Sequence, residues 1–294
     1  VTRLLPAPDA TGVYTFPADL AAAHHAHQED LAARLAAGDD TVTRVKAPYG
    51  GHTYLIERRR PSGGPLVVIE PHHDDVALSA SGLLLTRPRP LTVVTVFTRS
   101  TTAHPRALAD HPTEDAVSKL RAEESRQALL PLDAKRVLLG YRDADAPYGP
   151  YDPRLLDEVS ADLQRTLAGL GETELLAPAA VTRHPDHLIA HEAARRLGCT
   201  WFWEDVAFWQ TYALSFDDRH LFRQRTRGSM RAELVDITPA ALDKLTLLYL
   251  HASQLHPLEG MWRPLRYAWT TAHELRPAAG PASYAERFYR TEQP

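Results

Sequence analysis

The chain has 294 residues and a formal net charge of −4, with 44% apolar and 24% charged residues, which is ordinary globular usage and excludes disordered and fibrous classes. Its single cysteine, Cys199, excludes a disulfide framework and a thiolate metal cluster, so any metal must be held by His and carboxylates; an excess of His, 15 in all, points the same way. The mild acidity argues against nucleic acid as a partner, and no apolar run reaches the roughly 18 residues that a membrane helix needs.

Residues 1–23 lack the basic segment and apolar core of a secretion signal, so a cytoplasmic protein is expected. Leu20 to Ala37 reads as an Ala-rich helix ending at Gly38, and Arg44 to Arg58 as a hairpin around Gly50-Gly51. Pro61-Ser62-Gly63-Gly64-Pro65 marks a turn or linker. Residues 1–65 are therefore expected to form an N-terminal extension packed on a catalytic domain of residues 66–294. From Leu66 short apolar runs alternate with helical patterns. Strands are predicted at Leu66–Glu70, Leu91–Phe97, Arg136–Leu139 and Glu174–Pro178, with helices at about 77–86, 117–130, 153–169 and 187–197. This order predicts an α/β fold, a mostly parallel Rossmann-like sheet with helices on both faces. Ligands in such sheets sit beyond the carboxyl ends of the strands, so the active site is sought there. Past Cys199 come an aromatic stretch (201–209) read as core, an Arg-rich turn at 219–231, a strand near 233–237 and a helix from Pro239 to Ala252.

Two strand ends carry the chemistry. The first strand runs into His72-His73-Asp74-Asp75, four polar groups where burial demands pairing or a metal. A second cluster, His184-Pro185-Asp186-His187, follows the strand that ends at Pro178, and Pro185 suits the first turn of a helix that sets His184 and His187 on a shared face. The two clusters are expected to meet over one ion.

Together these segments resemble the LmbE/PIG-L family of zinc-dependent N-deacetylases, with its His-x-Asp-Asp and His-Pro-Asp-His motifs. Further likenesses are Arg121-Ala122-Glu123-Glu124, Leu139-Gly140-Tyr141-Arg142-Asp143, and, as in one bacterial branch, Trp203-Glu204-Asp205-Val206, Lys244 and His251-Ala252-Ser253-Gln254. The resemblance covers the chain from about Leu66 onward. It implies Zn²⁺ held by His72, Asp75 and His187, a ligand set that leaves a position open for water. It further implies Asp74 as general base and His184 facing the substrate, either to stabilise the oxyanion or to protonate the leaving amine. Arg121 and Asp143 match positions that contact the sugar, and His251 is a further expected substrate contact. Two positions depart from the commonest first motif: His73 and Val76 stand where Pro and Glu are usual, and His73 is expected at the surface.

The function so implied is removal of an N-acetyl group from an amino-sugar-containing small molecule, in natural-product or sugar-thiol metabolism, releasing acetate and a free amine. An amidase of the same family acting on a larger acyl group or a thiol conjugate stays open. A two-metal phosphoesterase is the reading from another class, and it needs upstream and mid-chain Asp ligands that the sequence does not offer. No membrane or nucleic-acid partner is expected, and a homo-oligomer stays open. Of the remaining residues, His24, His25 and His27 read as a solvated helix face, His191 as either a neighbour of the site or an ordinary core or surface residue. Arg219, Arg223, Arg225, Arg227 and Arg231 read as a solvated loop.

Overall fold

Leu66 to Glu70 form a strand buried along its whole length, and the other elements are arranged around it. The computed structural model describes residues 18–145, 148–206, 216–226, 229–254, 262–275 and 284–291. The N-terminal extension supplies helix α1 (Ala18–Ala36) and an antiparallel hairpin of β1 (Val42–Lys46) and β2 (Thr53–Glu57). Then follow β3 (Leu66–Glu70), α2 (Asp75–Ser79), α3 (Ser81–Thr86), β4 (Leu91–Arg99), α4 (Pro105–Asp110), α5 (Glu114–Leu129), β5 (Lys135–Arg142) and α6 (Pro153–Ala168). The remaining elements are β6 (Glu174–Pro178), α7 (Pro185–Arg196), β7 (Trp201–Trp203), α8 (Phe216–Arg225), β8 (Met230–Asp236), α9 (Ala241–Leu250), α10 (Arg263–Leu275) and β9 (Ala285–Thr291).

Seven of these strands form one sheet in the order β5-β4-β3-β6-β7-β9-β8. The first five are parallel, and β9 runs antiparallel to both of its neighbours. The chain winds outward from β3 through β4 to β5, then returns to β6 beside β3 and winds the other way. The neighbours β3 and β6 are thus the switch point of the sheet, where a crevice opens beyond their carboxyl ends. Both sequence clusters follow these two strands, which is why they meet.

Alternation along β3 divides the core into two layers. Leu66 and Val68 join Leu83, Leu84, Leu245 and Leu248 on one face, and Val67 and Ile69 join Val159, Leu163, Ile189 and Ala193 on the other. Each fully buried aliphatic side chain of this kind contributes about 1.5–3 kcal/mol. The extension completes the first layer: Leu20, Val45 and Ile56 belong to the same apolar cluster, and Tyr54 stacks on Tyr249 with ring centroids 5.4 Å apart. The solvated-face reading of α1 holds for His25, whereas His24 and His27 turn inward onto α9. His24 Nε2 lies 2.9 Å from Thr246 Oγ1, and His27 Nε2 lies 2.9 Å from Asp243 Oδ1. An Ala-rich helix has no broad apolar stripe to announce its buried face, so polar contacts chosen by α9 decide it.

The helix predicted over 77–86 breaks at Ala80 into α2 and α3. Buried Lys244 closes the first piece, donating to the carbonyls of Ala77 at 3.1 Å and Leu78 at 2.8 Å. Buried Glu286 opens the second, accepting from the backbone N–H of Gly82 at 2.9 Å and Leu83 at 2.8 Å. The two side chains pair at 2.7 Å. Gly82 is needed for close approach, since a Cβ there would fall 2.6 Å from Ile237 Cγ2.

Helix α10 and strand β9 have no counterpart among the elements expected from the sequence. The strand reads Ala-Glu-Arg-Phe-Tyr-Arg-Thr, a poor core strand until its charges find partners. Glu286 pairs with Lys244, and Arg287 with Glu204, which also accepts from the hydroxyls of Tyr267 and Tyr289. The Arg-rich segment is likewise corrected: its first part is α8, and Arg225 donates to the carbonyls of Ala179 and Ala180. Phe208, Trp209, Arg227 and His256 lie outside the described residues, as do the side chains of Arg219 and His220. No helix among the described residues is long and apolar enough to cross a membrane.

Candidate active site

At the end of β3 the chain turns through Pro71–Asp74 and enters α2 at Asp75. The turn folds Asp75 back, and its Oδ2 accepts the His72 N–H at 2.7 Å. The His72 ring lies between two carboxylates, with Nδ1 3.2 Å from Asp75 Oδ2 and Nε2 2.9 Å from Asp186 Oδ2. Burial disfavours charge on this ring, yet the contacts to Asp186 and Asp75 carry its pKa up to about 9.

At the end of β6 the backbone is strained. Ala180 (φ 55°) and Arg183 (φ 61°) occupy the left-handed region, a cost of about 1–3 kcal/mol each for such residues. Asp205, just past β7, holds this loop: it accepts from the backbone N–H of Ala180 at 3.0 Å and from the N–H and hydroxyl of Thr182 at 3.3 and 3.2 Å. Arg225 grips the carbonyls on the other side of the same turn. The strain delivers His184 to the N-cap of α7, with Pro185 in the first turn. His184 Nδ1 accepts the Asp186 N–H at 3.3 Å, so the ring proton resides on Nε2. Burial, with His187 and His72 close by, lowers the His184 pKa to about 3.

One turn into α7, His187 Nε2 lies 3.4 Å from Asp75 Oδ1 and Nδ1 lies 3.5 Å from Asp205 Oδ2. One donor atom each from His72, Asp75 and His187 lies within 4.8 Å of the others, and all three residues are buried or nearly so. A second grouping, His72, His184 and Asp186, meets the same distance. Its carboxylate already faces the Ala144 N–H at 3.0 Å, whereas Asp75 lies against both imidazoles of its own set. The set His72, Asp75 and His187 therefore fits a divalent ion better. Asp205 stands behind His187 as the outer carboxylate that metal-bound imidazoles commonly have.

These groups form the floor of a cavity of about 250 Å³, to which Asp74, Arg121, Asp143, His184, Tyr148 and Gln254 contribute walls. No described residue of the extension lines it. Arg121 of α5 donates to Ser100 Oγ at 2.7 Å and to Asp74 Oδ1 at 3.1 Å, and lies 3.6 Å from Asp143 Oδ2. Asp143 Oδ1 is buried and has no hydrogen-bond partner among the described residues, and burial raises the Asp143 pKa.

Of the expected site residues, His72, Asp74, Asp75, Arg121, Asp143, His184 and His187 all come to this cavity. His251 does not: it is 1% exposed and lies behind the wall, where burial lowers its pKa to about 4. His73 is corrected as well. It is 3% exposed, its ring nitrogens have no hydrogen-bond partner among the described residues, and burial beside Arg121 holds its pKa well below the usual value. His191 proves to be interior, its Nδ1 2.8 Å from the Pro178 carbonyl. No role was expected for Asp186, Asp205 or Tyr148, which also stand at the site. The two Asp stood inside recognised segments, while nothing around Tyr148 marked it, and its ring now lies 4.2 Å from that of His184.

Comparison with known proteins identifies relatives of the chain and of its fold. Residues 67–198 match the family model described as GlcNAc-PI de-N-acetylase, PIG-L. The 2'-N-acetylparomamine deacetylase of Streptomyces fradiae is 34% identical over 215 residues, covering 67% of this chain and 76% of that protein. Among solved structures, the antimicrobial reagent A40926 pseudoaglycone deacetylase aligns with a TM-score of 0.57 at 24% identity, covering 77% of this chain and 96% of that one. The zinc inhibited form of teicoplanin deacetylase aligns with a TM-score of 0.56 at 19% identity, covering 78% and 100%. At those identities the structures establish the fold, a mostly parallel sheet flanked by helices, and the sequence relative establishes kinship. The chain belongs to the GlcNAc-PI de-N-acetylase (LmbE-like) family and is an N-deacetylase, a hydrolase of non-peptide amide bonds.

Proposed function

We propose that the chain is a Zn²⁺-dependent deacetylase of an amino-sugar-containing natural product, releasing acetate and a free amine. The observation that carries this reading is the convergence of His72, Asp75 and His187 on one point of the cavity floor. Two imidazoles and one carboxylate are the donor set of catalytic zinc with a position left open. When bound, zinc supplies a Lewis acid that polarises the amide carbonyl and brings the pKa of water toward neutrality. The sequence relative supports the substrate class, since its name refers to 2'-N-acetylparomamine.

The chain's own residues supply the proton transfers. Asp74 is adjacent to a ligand but outside the ligand set, and Arg121 holds its Oδ1 at 3.1 Å. Its other oxygen takes the proton of the attacking water and later returns it to the leaving amine. His184, with its proton on Nε2, donates to the oxyanion as the carbonyl carbon becomes tetrahedral. Of its two expected roles, oxyanion donor is thus the one that its N-cap hydrogen bond favours. Arg121 and Asp143 face the sugar from the wall, and His251 is not among the residues that line the cavity.

The test is acetate release from a panel of N-acetylglucosamine-containing compounds, with longer acyl amides and thiol conjugates alongside. Preference for a longer acyl group or a thiol conjugate would replace the deacetylase reading by the related amidase. Metal content decides against the phosphoesterase: the two possible ligand groupings share His72, so one ion per chain is expected, and two would overturn the assignment.

A further inference from the structure

Gln254 follows the end of α9 and lines the cavity. Its side-chain nitrogen is fully engaged: Nε2 donates to the Thr102 carbonyl at 3.0 Å and to Ser253 Oγ at 3.1 Å. Ser253 is itself held by Glu124 of α5, a side chain with no exposure. Glu124 Oε1 accepts the Ser253 N–H at 2.8 Å, and Oε2 accepts the Ser253 hydroxyl at 2.6 Å. The Thr102 carbonyl can only accept, so it requires the N–H side of the Gln254 amide and locks the group against a flip.

The atom left over is Oε1. No hydrogen bond within the described residues uses it, and it is not among the side-chain oxygens sealed away from solvent. Beside it on that wall the Arg121 terminal nitrogens already face Ser100, Asp74 and Asp143, and Asp143 Oδ1 is sealed within the wall. The open atom of Gln254 is thus an acceptor, and an acceptor recognises a ligand by its donors.

We propose that Gln254 is a specificity-determining residue, its Oε1 accepting a hydrogen bond from a hydroxyl or ammonium group on the substrate's ring system, with Ser253 and Glu124 as the positioning residues that keep that oxygen turned inward. The inference rests on the deacetylase reading and adds the substrate feature that this wall selects: a donor remote from the acetamide. A substrate lacking that donor leaves a desolvated acceptor unpaired, at a cost of about 1–3 kcal/mol, or roughly tenfold to a hundredfold in affinity.

The experiment uses the full chain loaded with zinc, N-acetylglucosamine glycosides and the monodeoxy derivatives of each. Gln254→Met keeps the length of the side chain and removes the acceptor. It is expected to raise KM about tenfold or more with kcat within about twofold. One deoxy derivative should show that same loss with the wild-type enzyme and no further loss with Gln254→Met. Glu124→Gln should likewise raise KM with kcat retained, which a merely structural loss would not do. An unchanged KM in Gln254→Met, or a loss confined to kcat, overturns the proposal. Should that variant fail to fold, the wild-type deoxy series still decides, since equal KM for every derivative rules out a recognised donor. A wild-type enzyme that releases acetate from no glycoside brings down the deacetylase reading instead, and this inference with it.

Discussion

Asp205 Oδ2 lies 3.5 Å from His187 Nδ1, on the side of the ring away from Asp75, while the same carboxylate holds the strained Ala180–Thr182 turn. One residue thus faces a ring of the proposed ligand set and holds the loop that delivers His184. Replacing Asp205 by Asn is expected to weaken zinc binding about 10- to 100-fold, the usual cost of losing such an outer partner. Titration against a competing chelator measures it, and unchanged affinity would show that packing alone orients His187. In the unmodified protein, removing zinc with a chelator should lower the Tm, because an ion that binds only the folded state stabilises it.

Asp74 and Asp75 are neighbours in sequence to which the proposed mechanism gives separate tasks. Asp74→Asn is expected to retain stoichiometric zinc and lose about 10²- to 10⁴-fold in kcat, as removal of a general base does. Asp75→Ala and His72→Ala should lose metal and activity together. Metal analysis beside steady-state kinetics separates these cases, and an active Asp74→Asn enzyme would refute the base assignment.

The pair of Lys244 and Glu286 bridges the break between α2 and α3, and every contact it makes is buried. Lys244→Met leaves Glu286 charged and unmatched, so a loss of about 3–5 kcal/mol in unfolding free energy is expected. The double change Lys244→Met with Glu286→Gln, which removes the charge and keeps an acceptor for the Gly82 and Leu83 N–H groups, should recover part of that loss. Urea denaturation of the single and double variants reads the difference, and a double variant less stable than the single one would contradict this account.

His24 makes docking of the extension sensitive to pH. Burial beside Thr246 lowers its pKa from 6.5 to about 4, so the folded state prefers the neutral ring. Above pH 6.5 the ring is neutral in both states and contributes no slope. Below that, the unfolded chain binds the proton first, and stability falls until about pH 4, a loss of roughly 3 kcal/mol in all. His24→Gln should flatten the stability profile between pH 6.5 and pH 4, as followed by denaturant midpoints; a parallel profile would place the sensitivity elsewhere.

Much of the sheet was legible because its strands are buried on both faces and read as continuous apolar runs: Leu66–Glu70 and Glu174–Pro178 have the bounds expected of them. The convergence of the two clusters was legible because polar residues at a buried strand end need a reason to be there. Strand β9 was hidden because Glu286 and Arg287 look solvated until Lys244 and Glu204, far away in sequence, neutralise them. His73 was misread for a related reason: next to a ligand on a tight turn, nothing local tells which way its ring points.

The residues alone therefore determined which polar groups stand at the ends of β3 and β6, since short-range spacing encodes them, and the family resemblance supplied the roles proposed for them. The tertiary structure decided that β3 and β6 are neighbours at the switch point, that Asp205 stands behind His187, and that Thr102 and Ser253 hold the Gln254 amide at the cavity wall. Those relationships join segments up to 152 residues apart, as between Gln254 and Thr102, and local pattern carries no information about which distant polar groups satisfy one another.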